Sequence, residues 1–315
     1  MHRREFLGLA AAAALTPATI IAAAEDRRQS PAPKRLVKPM ELGLVISPAK
    51  APEETVRRVR DLGFKTCFLS LDGYIGNFTP DKANQLGSLL AKYGVQATTV
   101  EVVGPPPLIW NFLEGPSTIG LVPPKTRAAR MAALTGVSDF AKLLGVPQVQ
   151  THCGFIPENP ADPLYPQAVE AIRAVAMHCE ANQQRFLMET GQETPTTMSR
   201  MLRDVARPNL AVGFDTANLI LYGKANPVDA VDILGSHVRS IHAKDGRWPT
   251  DPNELGQEVL IGTGIVDFKK VLTKLKQAGY TGAVTIERET SGPQQIEDVR
   301  KEKLYLERIL AEIQA

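Results

Sequence analysis

The chain has 315 residues, of which 43% are hydrophobic and 22% are charged, a composition that is ordinary for a soluble globular protein. Its 36 basic and 34 acidic residues leave a formal net charge of +2, so bulk charge indicates neither a nucleic-acid partner nor a membrane surface. Three scattered cysteines are too few for a disulfide framework.

The first 24 residues are typical of an export signal. The pair Arg3-Arg4 is followed by Phe6-Leu7 and by an alanine-rich run to Ile21, and residues 22–24 are small enough for cleavage. The apolar run is too short and too rich in alanine for a good membrane span. We therefore predict a twin-arginine signal peptide at residues 1–24 and a periplasmic or otherwise exported mature chain without a stable membrane span. An alanine-rich surface helix is the alternative interpretation.

Residues 25–39 are polar and rich in Pro, Lys and Arg, which predicts a flexible linker. Over residues 40–315, β-forming runs alternate with amphipathic helical segments. The predicted strands are 42–46, 66–71, 95–103, 148–152, 186–189, 210–215, 237–242 and 283–287. Eight strand–helix units in about 270 residues match an α/β fold, a single-domain (β/α)8 TIM barrel. A doubly wound sheet is the structural alternative, but residues 46–50 are not the glycine-rich first turn that it usually needs.

Several predicted strands end in a residue that can bind a metal. Four of these ends are Glu189, Asp215, His242 and Glu287, and Glu101 and His152 end two earlier strands. The carboxyl ends of barrel strands share one rim, so these side chains converge. Burying a charge is costly unless the charge is paired or metal-bound. The four ends therefore predict a site for one divalent metal ion. Structural ion pairs with neighbouring Arg and Lys residues are the alternative.

Three carboxylates and one imidazole form a mainly oxygen site with net negative charge. Such a site suits Mn²⁺ or Mg²⁺, with Fe²⁺, Co²⁺ and Zn²⁺ as alternatives.

The chain resembles the xylose isomerase-like TIM-barrel superfamily, in particular its bacterial sugar phosphate isomerase/epimerase proteins. The resemblance covers residues 42–310, and several motifs agree in order. They are TIGLVP at 118–123, HCGFIPE at 152–158, ETGQET at 189–194, GFDTAN at 213–218, LYGK at 221–224, HAKD at 242–245, GTGIVD at 262–267 and IERE at 286–289. The order Glu, Asp, His, Glu along the last four strands matches the metal site of that superfamily.

The resemblance to ketose epimerases implies that Glu189 and Glu287 bind the metal and also exchange protons with a carbohydrate. One of them would remove a proton alpha to a carbonyl, the metal would stabilise the enediolate as a Lewis acid, and the other would return a proton to the opposite face. Asp215 and His242 would be ligands only. The resemblance thus implies a metal-dependent sugar isomerase or epimerase.

Six further residues are predicted to bind the substrate around this centre. They are His152, Glu158, Asn218, Lys244, Arg247 and Trp110. For each of them a structural, surface or loop-packing role is the alternative. Many epimerases of the superfamily carry His where this chain has Asn218, and an amide cannot take up a proton at neutral pH. This departure leaves the ketose 3-epimerase specificity open.

Export favours a free sugar or keto-sugar, because phosphorylated sugars are mainly cytosolic metabolites. The motif Gly262-Thr-Gly264 lies where barrels often bind phosphate, but for an exported protein a tight turn is the favoured interpretation. The first alternative function is a lyase or dehydratase acting on a keto-sugar or keto-cyclitol. Endonuclease IV-like phosphodiester cleavage ranks lower, since five His residues do not suit a three-metal cluster and the near-neutral charge does not suit DNA. A non-catalytic sugar-binding barrel is the last alternative, and solvent deuterium uptake into a bound keto-sugar would argue against it. A homo-oligomer is compatible with the sequence.

Overall fold

Eight strands pair in parallel and close on themselves. A computed structural model describes residues 40–314, and the predicted signal and linker at residues 1–39 lie outside this range. The strands are β1 (Leu42–Ile46), β2 (Thr66–Ser70), β3 (Gln96–Glu101), β4 (Gln148–Thr151), β5 (Arg185–Glu189), β6 (Leu210–Asp215), β7 (Val238–Ala243) and β8 (Val284–Ile286). Each strand pairs with the next, and β8 pairs with β1 to complete the barrel.

A helix follows each strand and covers the outside of the barrel. The helices are α1 (Pro52–Asp61), α2 (Pro80–Tyr93), α3 (Pro124–Leu144), α4 (Leu164–Ala181), α5 (Pro195–Val205), α6 (Pro227–Leu234), α7 (Phe268–Gln277) and α8 (Pro293–Gln314). The predicted (β/α)8 barrel is confirmed. Among the helices of residues 40–314, none combines the length and apolar character needed to cross a membrane.

Local sequence signals explain where the helices begin and end. In α2 the Thr79 side chain accepts a hydrogen bond from the Lys82 amide at 3.4 Å, and Pro80 occupies the first turn. The helix stops at Gly94, which adopts a left-handed conformation with φ of 64°. Its apolar positions recur at helical spacing, so Leu86 and Leu90 are buried against the barrel.

The loop between β3 and α3 is tied to the barrel by a buried arginine. It contains a short helix, Gly115–Thr118, that the sequence did not predict. The guanidinium of Arg130, which is fully buried, donates to the carbonyl oxygens of Gly120 at 3.0 Å, Pro107 at 2.8 Å and Thr118. This loop therefore has a fixed position over the carboxyl end of the barrel, although it has little secondary structure.

Gly120 and Gly145 both have a positive φ, but only Gly120 is closely packed. Replacing each of them therefore compares backbone strain alone with backbone strain plus a steric clash. Gly120 has φ of +75° and a Cβ there would lie 2.2 Å from the backbone of Cys153, whereas Gly145 has φ of +69° and open space around it. We expect Gly145→Ala to lower the free energy of unfolding by about 1–2 kcal/mol, the cost of a left-handed alanine. Gly120→Ala should lower the free energy of unfolding by about 3 kcal/mol or more, because overpacking against the Cys153 backbone adds to that strain. Urea unfolding measures both, and equal losses would refute the close approach.

Candidate metal centre

Four side chains from consecutive strands meet at the carboxyl end of the barrel. Glu189 and Asp215 are the last residues of β5 and β6, His242 is the penultimate residue of β7, and Glu287 follows β8. One ligand atom from each lies within 4.8 Å of the others. The first three are almost completely buried, and the Glu287 side chain is 18% exposed. The structure thus brings together the four residues predicted as ligands.

The spacing of these atoms suits a metal ion. His242 Nδ1 lies 3.2 Å from Glu189 Oε1, 3.3 Å from Glu287 Oε2 and 3.9 Å from Asp215 Oδ2. Neighbouring ligands of an octahedral ion lie about 3 Å apart when each is about 2.1 Å from the metal. Side chains already at this separation need little movement to bind a cation.

Two carboxylate oxygens in the cluster show that the donors fit a cation. Asp215 Oδ2 and Glu287 Oε2 are buried, and within residues 40–314 neither accepts a well-aligned hydrogen bond, although the Lys244 ammonium lies 3.4 Å and 3.0 Å from them. Buried acceptors without aligned donors are costly, and here a single ammonium, that of Lys244, is shared among three carboxylates. Three carboxylates and an imidazole are also the donor types preferred by Mn²⁺ and by similar divalent ions. The residues present therefore fit a divalent metal.

Burial and mutual charge set the protonation of the four groups. Burial raises the pKa of Asp215 to about 8, and the Lys244 ammonium offsets only part of this effect. Burial acts in the same direction on Glu287, yet Lys244 and His242 hold the pKa of its carboxyl well below the usual range. The pKa of His242 is raised in spite of burial, because Glu287 and Glu189 favour the charged ring. Without a metal, bound protons and the cationic groups of Lys244 and His242 thus balance the negative charge of the cluster carboxylates.

Lys244 faces the cluster rather than the surface. Its ammonium is buried and lies 2.8 Å from Glu289 Oε1, 3.0 Å from Glu287 Oε2 and 3.4 Å from Asp215 Oδ2. A cavity of about 360 Å³ beside the cluster is lined by Glu287 and Glu289 and extends towards β1 and α8. The predicted substrate residue Lys244 therefore contacts two of the four cluster residues and a wall of this cavity.

Neutral side chains hold Glu189 in place. The Asn218 amide donates to Glu189 Oε1 at 3.2 Å, and the Gln150 amide donates to Oε2 at 3.0 Å. Sequence reasoning missed Gln150, but Gly213 in β6, two strands away, was a signal. A Cβ at Gly213 would lie 2.1 Å from Gln150 Oε1, so glycine leaves room for the amide to cross β6.

The predicted substrate residue His152 lies next to Glu189, and Trp110 packs against His152. His152 Nε2 is 3.4 Å from Glu189 Oε2, and its other ring nitrogen is 3.0 Å from the Gln192 amide nitrogen. The Trp110 ring lies edge-on to the His152 ring with centroids 5.0 Å apart, and Trp110 is 40% exposed. An exposed aromatic ring beside a polar cluster can stack on an apolar sugar face.

The structure does not bring Glu158 and Arg247 to the cluster. The Glu158 carboxylate accepts hydrogen bonds from the Thr194 amide at 3.0 Å, the Thr194 hydroxyl at 2.8 Å and the Thr197 hydroxyl, at the start of α5. This geometry caps a helix. Arg247 is exposed, and its guanidinium approaches the Thr263 carbonyl oxygen at 3.5 Å.

The glycine-containing loop after β7 binds a carboxylate of the chain itself. Buried Asp245 accepts hydrogen bonds from the amides of Gly262 and Gly264 at 2.9 Å each and of Val266 at 3.1 Å. A Cβ at Gly264 would lie 2.1 Å from Asp245 Oδ1, so this position requires glycine. The amides that could bind a phosphate are therefore already engaged, which agrees with the predicted tight turn.

Known proteins share this fold and sequence pattern. The family model described as "Xylose isomerase-like TIM barrel" matches residues 56–309. A crystal structure of a xylose isomerase domain protein from Planctomyces limnophilus is 32% identical, with 87% of this chain and 99% of that chain covered and a TM-score of 0.78. D-psicose 3-epimerase from Clostridium cellulolyticum H10 shares the fold at 16% identity, with 86% and 99% covered and a TM-score of 0.66.

Curated relatives match over shorter stretches. Inosose dehydratase from Geobacillus thermodenitrificans is 27% identical over 118 residues, which are 32% of this chain and 38% of that protein. This chain spans 33% to 38% of the length of the curated relatives with which it was compared.

Replacing Asp215 with the uncharged residue Asn, which has a similar shape, tests the fit to a metal. The unfolded carboxyl titrates near pH 4 and the folded one near 8, so this group costs stability as the pH rises between these values. We expect Asp215→Asn to raise the free energy of unfolding of metal-free protein at pH 8. The native chain should gain about 2.7 kcal/mol at a Mn²⁺ concentration of about 100 times Kd, and the variant should lose this gain.

Asp298→Asn is the matched control, and urea unfolding measures the free energy of unfolding of both variants. Asp298 is also buried, but it pairs with Arg288 Nε at 3.0 Å and with the Gln294 amide at 2.7 Å. We expect the free energy of unfolding of Asp298→Asn to be about 2 kcal/mol lower than that of the native chain, and we expect Mn²⁺ to stabilise this variant as it does the native chain. A metal-free Asp215→Asn protein that is destabilised as much as this control would contradict the fit.

Proposed function

Because the chain belongs to the family of xylose isomerase-like TIM barrels, we propose that it is a metal-dependent isomerase or epimerase of a free sugar or keto-sugar. The observation that carries the proposal is the buried cluster of Glu189, Asp215, His242 and Glu287, in which two oxygens accept no well-aligned hydrogen bond from residues 40–314. The proposed reaction begins with removal of a proton alpha to a carbonyl.

One divalent cation, Mn²⁺ or Mg²⁺ in preference to Fe²⁺, Co²⁺ or Zn²⁺, is the proposed cofactor. Glu189, Asp215, His242 and Glu287 hold it, and their mainly oxygen donors favour these ions. When bound, the metal supplies Lewis-acid charge that stabilises the negative oxygen of the enediolate.

Two carboxylates carry the proton in this proposal. Glu189 Oε1 faces His242, which leaves Oε2 as the oxygen that exchanges a proton with the substrate. The amides of Gln150 and Asn218 fix the plane of this carboxylate, and proton transfer requires such fixed geometry. Glu287 borders the cavity and carries the second proton exchange, on the opposite face of the substrate.

The substrate is proposed to be an unphosphorylated carbohydrate. His152 and Lys244 bind its hydroxyl or carbonyl oxygens, and Trp110 packs against an apolar face of its ring. Two observations support the absence of a phosphate: the amides of the Gly262–Gly264 loop donate to Asp245, and residues 1–24 have the pattern of an export signal. On the basis of that export signal, we propose that the protein is periplasmic or otherwise exported.

A lyase or dehydratase acting on a keto-sugar or keto-cyclitol is the second candidate. The partial similarity to inosose dehydratase favours it. The same proton abstraction serves both reactions, because loss of a hydroxyl beta to the carbanion replaces return of the proton. Proton NMR of the products separates them. A new double bond or loss of water identifies the lyase, and an epimeric sugar of unchanged mass identifies the epimerase.

Replacing Glu189 tests the proposed base and ligand together. We expect Glu189→Gln to slow solvent-deuterium exchange into a keto-sugar by about 10²- to 10⁴-fold, since the amide cannot accept the proton. The variant should also retain less Mn²⁺ after dialysis, because an amide is a weaker ligand than a carboxylate.

Glu193→Gln is the matched control for this measurement. Glu193 is equally buried and close in sequence, but it lies outside the four-residue cluster. We expect it to keep both exchange and metal content. Exchange at the native rate in Glu189→Gln would exclude Glu189 as the base, and failure of every keto-sugar with native protein would exclude the proposed function.

A further inference from the structure

Glu289 lies on the wall of the cavity beside the cluster, two residues after Glu287. Its side chain is 59% exposed, and Glu101 and Glu287 border the same cavity of about 360 Å³. Three carboxylates therefore surround one end of the space next to the cluster. Neither metal binding nor proton transfer in the proposed reaction uses Glu289.

The contacts of Glu289 place its carboxylate over Lys244. The Glu289 backbone amide lies 3.3 Å from both carboxylate oxygens of Glu258, which belongs to a short strand paired with residues 245–246. The Glu289 side chain then reaches Lys244 Nζ at 2.8 Å. The Lys244 side chain is only 2% exposed, so Glu289 is the member of this ion pair that meets the cavity.

Glu289 changes the net charge that a ligand in the cavity would meet. With a divalent cation in the proposed site, the two positive charges of the ion and the one of Lys244 equal the three negative charges of Glu189, Asp215 and Glu287. Glu289 adds a fourth negative charge. The region is therefore negative with Glu289 ionised and close to neutral without it.

The two arginines that line the cavity are already paired with acids. Arg288 Nη1 lies 2.8 Å from Glu258 and its Nε lies 3.0 Å from Asp298, while Arg58 lies 2.9 Å from Glu54. In the part of the chain that the structure describes, each cationic side chain of this cavity wall thus has a carboxylate within 3.0 Å. An incoming acid would have to displace one of these partners.

We propose that Glu289 determines specificity by covering the Lys244 ammonium, so that the site admits neutral sugars and excludes sugar acids. The proposal rests on the proposed function for the presence of a carbohydrate in this cavity. A sugar acid would bring its carboxylate close to Glu289 and Glu287, and like charges repel strongly in a partly buried site. A neutral sugar meets no such repulsion, and its hydroxyls can donate hydrogen bonds to the Glu289 carboxylate.

A matched pair of sugars tests this specificity. Methyl β-D-glucoside and methyl β-D-glucuronide differ only in the carboxylate at C6, and neither has a free carbonyl group that could react. In calorimetric titrations of full-length, Mg²⁺-loaded native protein, we expect the glucuronide to bind at least about tenfold more weakly than the glucoside. Glu289→Gln removes the charge and should abolish most of this difference. Glu289→Ala also uncovers Lys244 and should bind the glucuronide about tenfold more tightly than the native chain does, or better.

Glu53→Gln is the matched control for the loss of one negative charge. Glu53 is 56% exposed and pairs with Lys92 Nζ at 2.6 Å, but it does not line this cavity. We expect this variant to keep the native preference for the glucoside. Adding Lys244→Met to Glu289→Ala should cancel the gain in glucuronide affinity. If that double variant fails to fold, the comparison of Glu289→Ala with Glu53→Gln still decides the role, because both single changes replace exposed side chains.

Three results would overturn the role of Glu289. They are equal binding of the two sugars by native protein, no gain in detectable glucuronide binding in either Glu289 variant, and an equal gain in Glu53→Gln. Failure of the proposed function gives a different pattern, because binding of these glycosides needs no turnover. A gain in glucuronide affinity without exchange on any keto-sugar would refute the function and keep the specificity role. Exchange without that gain would do the opposite.

Discussion

The carboxyl end of this barrel buries more negative charge than its own side chains can balance. Glu101, Glu189, Asp215 and Glu287 converge there, and within residues 40–314 the buried Lys244 ammonium contacts two of them, Asp215 and Glu287, and also Glu289. Removing charges from water is costly unless close partners of opposite sign replace the solvent. The fold itself creates this cost, because parallel strands deliver their last side chains to one rim. A cation at that rim turns an unfavourable cluster into a binding site.

Neutral residues give this charged cluster its geometry. Gln150 and Asn218 donate to different oxygens of Glu189, and Gln192 lies against the far side of the His152 ring. Residues that orient ligands in this way limit rotation of the carboxylate and favour one ring orientation of the imidazole. The glycine at 213 belongs to the same arrangement, since any larger residue would displace Gln150. Stability and site geometry are therefore coupled through the interior of the barrel.

The sequence predicts the barrel well because each element carries a local signal. Pro80 and Gly94 mark the ends of α2, for example, and an acid marks the end of β6. The four ligand candidates follow from the same logic, because strand order alone decides which ends meet. Gln150 was missed, because its role depends on a side chain that reaches past Gly213, two strands away, to Glu189. Glu158 lies only six residues beyond His152, but the orientation of its loop directs it to the start of α5.

Asp245 shows how a loop motif can have a different role from the one its sequence favours. A turn with two glycines at the carboxyl end of a barrel offers amides to an anion, and a phosphate is the usual anion in such folds. Here the anion is a buried side chain from the same chain, held by the amides of Gly262, Gly264 and Val266. The loop gains a fixed shape and loses its capacity for an external anion. In the proposed reaction the substrate is then recognised through its hydroxyl and carbonyl oxygens, which the polar rim and the proposed metal centre can bind.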